Sequence, residues 1–324
     1  MNGERRKLLI TRALSDRVLA YARENFETTV WSKDQPIGAG FDAAACGQDA
    51  VLIMPTEALD AARLTQLRKD GVRAVATFSV GYDHIDVVAA SRLGLPVFHT
   101  PDVLSDAVAD LAMFLILAAT RGTTESERIL RAGEWGPWSP TAMLGRQLGG
   151  LRLGVYGMGR IGQALARRAR AFDLAIHYHN RSRLAPSLEQ GAHFHAEIDT
   201  LMQVSDVLCI CAPATAQTRA SINAHRLSLL PSGAAVVNVA RGDLIDEEAL
   251  IAALKEGRIG SVGLDVFQNE PHVDRRFLGF ANATLLPHIG SATQDAREQM
   301  GLLALNGLTT YLVHGKLASN CVNP

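Results

Sequence analysis

At 324 residues, 48% hydrophobic and 20% charged, the chain has the composition of a globular protein long enough for two domains, which excludes disorder. A formal net charge of −1 excludes a global field that would draw in nucleic acid or an anionic membrane surface. Cys46, Cys209, Cys211 and Cys321 fit neither a zinc spacing nor a disulfide framework, so the expectation is reduced thiols, no metal and a cytoplasmic protein.

The opening residues, MNGERRKLLIT, contain no sustained apolar segment of the signal-peptide kind. Lys7–Thr11 reads as a short strand, and Ser15 as the cap of a helix running to about Asn25. Val51–Met54 is a strand ended by Pro55. A helix to Asp70 follows, with Leu59, Leu64 and Leu67 on its buried side and Gly71 as its stop. Val72–Phe78 is a strand, Asp86–Arg92 a short helix stopped by Gly94, and Leu95–His99 a further strand. Strands alternating with helices predict a parallel sheet covered on both faces.

Ser105–Arg121 is a helix apolar almost all round, which predicts burial on every face and a place at a domain or subunit junction. Its core, Leu111–Ala119, is too short to span a bilayer. The loop Glu134–Pro140 holds two tryptophans, Trp135 and Trp138, and two prolines, Pro137 and Pro140. Such a loop either packs on its own domain or leans over a pocket of the same or a neighbouring subunit.

The most informative stretch is Leu151–Arg183. A strand, Leu151–Tyr156, leads into Gly157-Met158-Gly159-Arg160-Ile161-Gly162. A helix follows with Ile161, Leu165, Ala169 and Phe172 on one side, then a strand, Leu174–Tyr178. G-x-G-x-x-G between a strand and a helix is the dinucleotide fingerprint: the glycines allow a tight turn and close approach of backbone to pyrophosphate, and the helix N-terminus favours the phosphates. Arg167, Arg168 and Arg170 read as the solvated face of that helix. The alternation continues with strand Asp206–Ala212, Cys209 and Cys211 on one side, ended by Pro213. After the turn Pro231-Ser232-Gly233 comes strand Ala234–Asn238, then helix Glu247–Lys255, capped by Asp246 and ended by Gly257. Strands Ile259–Val266 and Ala283–Leu286 follow, and the long amphipathic helix Thr293–Leu312 returns the chain to the first domain. The predicted fold class is α/β, with two Rossmann/flavodoxin-like doubly wound parallel-sheet domains and an interdomain active-site cleft. Residues 1–100 with 290–324 form the substrate domain, and 101–289 the dinucleotide domain.

In such sheets ligands bind outside the carboxyl ends of the strands. Arg241 there offers a two-pronged donor for a carboxylate. His288 is suited to proton transfer near neutral pH, and Glu270 can stabilise its imidazolium and fix its tautomer. Gly81 supplies exposed backbone. Each alone is an ordinary polar loop residue; four at strand ends together predict a site.

These residues lie in SVGYDHID (Ser79–Asp86), GMGRIG (Gly157–Gly162), NVARGDLIDEEAL (Asn238–Leu250), GLDVFQNEP (Gly263–Pro271) and LPHIGSAT (Leu285–Thr293). In that order and spacing, over nearly its full length, the chain resembles the D-isomer-specific 2-hydroxyacid dehydrogenases. The resemblance implies that Arg241 binds the carboxylate and carbonyl of a 2-keto acid, and that His288 protonates the carbonyl oxygen as nicotinamide delivers hydride. It implies that Glu270 pairs with His288, that Val80 and Gly81 hold the substrate carboxylate, and that Ser291 assists. Cofactor contacts are implied at Gly157–Gly162, Cys211, Ala212, Pro213, Thr218, Val239, Ala240, Arg241, Asp265, His288 and Gly290, with Asp265 on the nicotinamide carboxamide. A homodimer through the Ser105–Arg121 helix is implied as well.

An NAD-selective fingerprint places an acid at the end of its second strand. Here Asn180-Arg181-Ser182-Arg183 stands there, without an acid, which predicts NADPH over NADH with Arg181 and Ser182 the main contacts. The Trp loop and this turn most resemble the glyoxylate and hydroxypyruvate reductase branch, in which a Trp of the neighbouring subunit borders the pocket. Trp138 is the first candidate and Trp135 the second, with Met54-Pro55-Thr56 as the other wall. The expected activity is NADPH-dependent reduction of glyoxylate or hydroxypyruvate to the D-2-hydroxy acid. The alternatives are an NADH-preferring enzyme for another small keto acid, and a non-catalytic NADPH-sensing corepressor, which shares the fold.

Overall fold

A computed structural model describes residues 5–324. The chain divides into two compact units, one formed by residues up to Leu104 together with Ala292–Pro324, the other by Ser105–Ser291.

The first unit is built on β1 (Lys7–Ile10), β2 (Glu27–Val30), β3 (Ala50–Ile53), β4 (Ala74–Thr77) and β5 (Val97–Phe98). They pair in the order β2-β1-β3-β4-β5, all parallel. β3 and β4 are buried along their whole length, as the unbroken apolar run of a central parallel strand requires. β2 is not evident in the sequence: its Glu-Thr-Thr-Val is half-exposed, and it earns its place at the sheet edge by backbone pairing. Ser15 stands at the start of helix Asp16–Asn25, but its side chain accepts no capping hydrogen bond. Leu59 is buried but precedes its helix, Ala61–Lys69; Asp60 caps that helix by accepting the Arg63 N–H, which moves the start past Leu59. The terminal helix Gln294–Leu312, capped by Thr293, packs on β3–β5 and on helix Asp16–Asn25.

The second unit holds β6 (Arg152–Tyr156), β7 (Ala175–His179), β8 (His193–Phe194), β9 (Val207–Ile210), β10 (Ala234–Asn238), β11 (Ile259–Leu264) and β12 (Ala283–Leu285). All pair in parallel in the order β12-β11-β10-β9-β6-β7-β8, the doubly wound arrangement whose direction reverses between β6 and β9. Helix Ser105–Arg121 lies against β10–β12 and the helix after the glycines. It is not buried on every face. Asp106, Asp110, Phe114 and Arg121 form an exposed stripe, because the two aspartates reach out to arginines of the neighbouring helix. The same contacts correct the reading of the Arg-rich run. Arg168 is mostly covered and paired with Asp106 and Asp110, and Arg170 donates to the Glu189 carbonyl, so only Arg167 lies on a solvated face. The helix Arg160–Arg170 also ends before Phe172, which is exposed. Among the described residues no single helix is long and apolar enough to cross a membrane.

At the β7–β8 edge three imidazoles meet. The Thr200 hydroxyl donates to the Glu197 carbonyl, so His195 Nδ1–H donates to Thr200, and His195 Nε2 is left to accept His177 Nδ1–H at 2.9 Å. His193 stacks on His177, with centroids 4.9 Å apart. Burial first, then His193, His195 and Arg152, push the His177 pKa down to about 4, against a smaller opposing pull from Asp206. His177 therefore stays neutral in the fold while the unfolded chain takes up its proton near pH 6.5. Stability is expected to fall as pH drops from about 6.5 to about 4. Thermal midpoints across that range should decline, and H177Q should flatten the decline; an unchanged slope in H177Q would assign the acid loss to other groups.

Candidate active site

The dinucleotide fingerprint follows β6 directly. Gly157 has φ +100°, and a Cβ there would lie 2.5 Å from the Ala212 backbone nitrogen, so only glycine lets the turn pass this close to the end of β9. Gly159 caps helix Arg160–Arg170 without a side-chain partner, and nothing lies within 4 Å of where its Cβ would stand. An open helix N-terminus with uncapped first-turn N–H groups suits a pyrophosphate, so these residues fit a dinucleotide.

Not every residue of this region reaches outward. The Met158 side chain is fully buried, and its N–H donates to Asn180 Oδ1 at 2.7 Å, so the Asn180 amide ties the end of β7 to the glycine turn. Arg183 is bound to Glu189 through both carboxylate oxygens, at 2.8 and 3.0 Å. Glu189 also accepts the Tyr178 hydroxyl, and the hydrogen bonds from Arg183 and Tyr178 hold its carboxyl below the usual range. Arg181 and Ser182 are exposed and make no hydrogen bond or ion pair among the described residues. Cys211, Ala212 and Pro213 follow β9, and Thr218 pins that turn by donating to the Pro213 carbonyl at 2.7 Å and accepting the Thr215 N–H at 2.8 Å. The Sγ atoms of Cys209 and Cys211 are 3.9 Å apart, on one side of the strand.

After β10 the chain turns through Val239 and Ala240 to Arg241. Asn238, nearly fully buried, accepts the Ala240 N–H and donates to the Arg241 carbonyl, which shapes this turn. The Asn in NVARG is the signal for that brace, a residue the sequence reading passed over. Arg241 Nη1 donates to the Ala240 carbonyl at 2.8 Å. Gly242 lies so close to the next loop that a Cβ would stand 2.0 Å from the Phe267 carbonyl carbon.

That loop carries Glu270. Its Oε1 accepts the Phe267 N–H at 2.9 Å, and its Oε2 accepts Nδ1–H of His288 at 2.7 Å. Burial pushes the Glu270 carboxyl up, but the His288 hydrogen bond and charge, the Phe267 N–H and the Arg241 charge outweigh it and leave the group below its usual range. Glu270 is thus an ionised carboxylate fixed on one imidazole nitrogen, and the opposite nitrogen of His288 is the one that can exchange a proton with a ligand.

His288 has φ +55°, a left-handed backbone costing about 1–3 kcal/mol for such a residue. Asp265 holds it there. Its two carboxylate oxygens accept the N–H groups of Ile289 and Gly290, each at 2.8 Å, and its carbonyl accepts the His288 N–H. Burial raises the Asp265 carboxyl against the pull of those N–H groups. Both carboxylate oxygens of Asp265, which the resemblance places on the nicotinamide carboxamide, thus also build the His288 loop, each accepting one backbone N–H. Ser291, partly exposed, ends this unit.

In the other unit, Val80 and Gly81 follow β4, and Met54 follows β3; all three are partly exposed. Met54 N–H donates to Glu57, a buried carboxylate that pairs with Arg12 at 3.1 Å and accepts the Thr11 hydroxyl. Trp135 and Trp138 are 60% and 81% exposed, so the Trp loop does not pack on its own domain.

Comparison with known proteins agrees with this geometry. The family described as D-isomer specific 2-hydroxyacid dehydrogenase, NAD binding domain, matches residues 113–290. A glyoxylate reductase of Thermococcus kodakarensis is 40% identical over 326 residues, spanning 98% of this chain and 96% of that protein. A glycerate dehydrogenase of Hyphomicrobium methylovorum is 38% identical, over 91% of this chain and 92% of that protein. The crystal structure of an NADPH-dependent glyoxylate/hydroxypyruvate reductase from Sinorhizobium meliloti, in complex with NADP and malonate, superposes with a TM-score of 0.86 at 34% identity, over 98% of this chain and 97% of that one. With the fingerprint, the Glu270–His288 pair and these relatives all in agreement, the chain belongs to the D-isomer-specific 2-hydroxyacid dehydrogenases, in the glyoxylate/hydroxypyruvate reductase branch.

Proposed function

We propose that the protein reduces glyoxylate or hydroxypyruvate to the D-2-hydroxy acid with NADPH. The observation that carries this is the 2.7 Å contact between Glu270 and His288, at the end of the strand order that also presents Arg241. When bound, the nicotinamide supplies hydride to the carbonyl carbon. His288 gives a proton to the carbonyl oxygen from the nitrogen that Glu270 does not hold. Arg241 offsets the charge that develops on that oxygen and holds the carboxylate beside it. Val80 and Gly81 bind the carboxylate through backbone N–H groups, and Met54 contributes to the wall that keeps the substrate small. Ser291 assists in orienting the substrate. The relatives that reduce glyoxylate support this substrate class.

NADPH is favoured by the turn after β7. Arg183 is neutralised by Glu189, so a 2′-phosphate meets Arg181 and Ser182, whose donors have no other partner among the described residues. The exposed apolar side chains Phe114, Leu130, Trp135, Trp138 and Leu144 support a homodimer through the segment around Ser105–Arg121, with Trp138 bordering the partner's pocket. Assay of NADPH oxidation with glyoxylate, hydroxypyruvate, pyruvate and bulkier keto acids tests the reading. The first two should be the best substrates, kcat/KM should favour NADPH over NADH by at least about tenfold, and R181A should erase most of that preference. A preference for NADH would refute the cofactor assignment. Sedimentation of the active protein as a monomer would refute the assembly.

A further inference from the structure

The loop after β4 contains three successive peptide carbonyls, two taken by the adjacent residues His99 and Thr100 after β5 and the third by the loop's own Ser79. The Ser79 carbonyl accepts the Thr100 N–H at 2.9 Å. The Val80 carbonyl accepts Nδ1–H of His99 at 2.9 Å, and the Gly81 carbonyl accepts the Ser79 hydroxyl at 2.6 Å. That last bond fixes the direction of a longer chain. A carbonyl only accepts, so the Ser79 proton is committed to Gly81. Thr77 Oγ1–H therefore donates to Ser79 Oγ at 2.8 Å, and His84 Nε2–H donates to Thr77 Oγ1 at 2.9 Å. Tyr82 meets the His99 ring edge-on, with centroids 5.5 Å apart, which fixes the plane of the imidazole that holds the Val80 carbonyl.

In a trans peptide the N–H points opposite to its C=O. Fastening the carbonyls of residues 79, 80 and 81 therefore aims the N–H groups of Val80, Gly81 and Tyr82 the other way. None of these three N–H groups donates to an acceptor within the described residues. Three successive amide donors left unpartnered on tethered peptides suit a carboxylate, and the tethers reduce the cost of orienting them when it binds.

We infer that His99 and Ser79 are positioning residues for the substrate carboxylate, setting the direction of the Gly81 and Tyr82 N–H groups by holding the Val80 and Gly81 carbonyls from behind. This rests on the reading that the Val80–Gly81 backbone receives the carboxylate of a 2-keto acid. His99 follows β5 in the first unit, whereas the dinucleotide fingerprint follows β6 in the second, so its effect falls on the acid and not on the cofactor.

The test is steady-state kinetics on the full chain with glyoxylate, alongside direct titration of NADPH binding. In H99A the KM for glyoxylate should rise about tenfold, kcat should change by less than about threefold, and the NADPH Kd should stay within about twofold. H99N, which places an amide nitrogen close to the position of Nδ1, should bring KM back to within about threefold of wild type. S79A is the second variant, should H99A not fold, and should raise KM in the same way. Pyruvate compared with its methyl ester gives an independent readout: the wild type's preference for the free carboxylate should shrink in H99A, which a general loss of structure would not cause. An unmoved KM in both variants of an enzyme that reduces glyoxylate overturns the inference alone. So does a KM rise that H99N fails to reverse. A wild type that reduces no 2-keto acid overturns the functional reading, and this inference with it.

Discussion

H288A is expected to lose about 10²–10⁴-fold in kcat while NADPH binds with a Kd within about twofold of wild type, the range that general acid–base groups contribute. Three features make the prediction this large. Glu270 accepts Nδ1–H, so the tautomer is set and only the far nitrogen is available for transfer. Asp265 holds the backbone on both sides of the ring through the N–H groups of His288, Ile289 and Gly290, so the imidazole is positioned by contacts that survive its removal. The fingerprint turn and the open N-terminus of Arg160–Arg170 are made by other residues, which is why cofactor binding is spared. Steady-state kcat and a fluorescence titration of NADPH separate the two effects. A near-native kcat would remove His288 from the chemistry, whereas loss of NADPH binding would mean that the residue mainly supports the fold.

Strand-end logic makes this much legible in the sequence alone. Arg241, Glu270 and His288 each follow an apolar run, and a parallel sheet brings the ends of its strands to one edge. What the sequence did not disclose are bonds between residues distant along the chain or on irregular backbone. Glu189 sits on a four-residue helix six positions beyond Arg183, with no periodic pattern to mark it, yet it decides which arginine of the turn remains available. His99 reaches Val80 only because β4 and β5 are neighbours. The family resemblance marks Asp265 as a cofactor contact, but its bracing of the next loop through the Ile289 and Gly290 N–H groups is a long-range bond that no local pattern announces. The edge strand β2 was missed because a short polar segment can join a sheet through its backbone alone, and backbone pairing leaves no hydrophobic signature.

R241K is expected to lose about 100-fold in kcat/KM for glyoxylate, divided between a KM raised about tenfold and a kcat lowered about tenfold. Lysine keeps the positive charge but presents a point donor in place of a planar fork. One prong is what a carboxylate needs for orientation, and the other is what a developing alkoxide needs for stabilisation, so both constants suffer. The surroundings are braced against readjustment: Asn238 bonds the Ala240 N–H and the Arg241 carbonyl, and Gly242 lies so close to Phe267 that a Cβ there would clash. The retained charge gives a further discrimination. Arg241 is one of the groups that hold the Glu270 carboxyl below its usual range, behind the His288 hydrogen bond and charge. If Arg241 acts on the substrate, R241K should leave the pH dependence of reduction close to that of wild type, while a neutral R241Q should move the limb that reports the Glu270–His288 pair. A displaced pH profile in R241K itself, with KM unchanged, would place the role of Arg241 in tuning that pair and not in binding the acid.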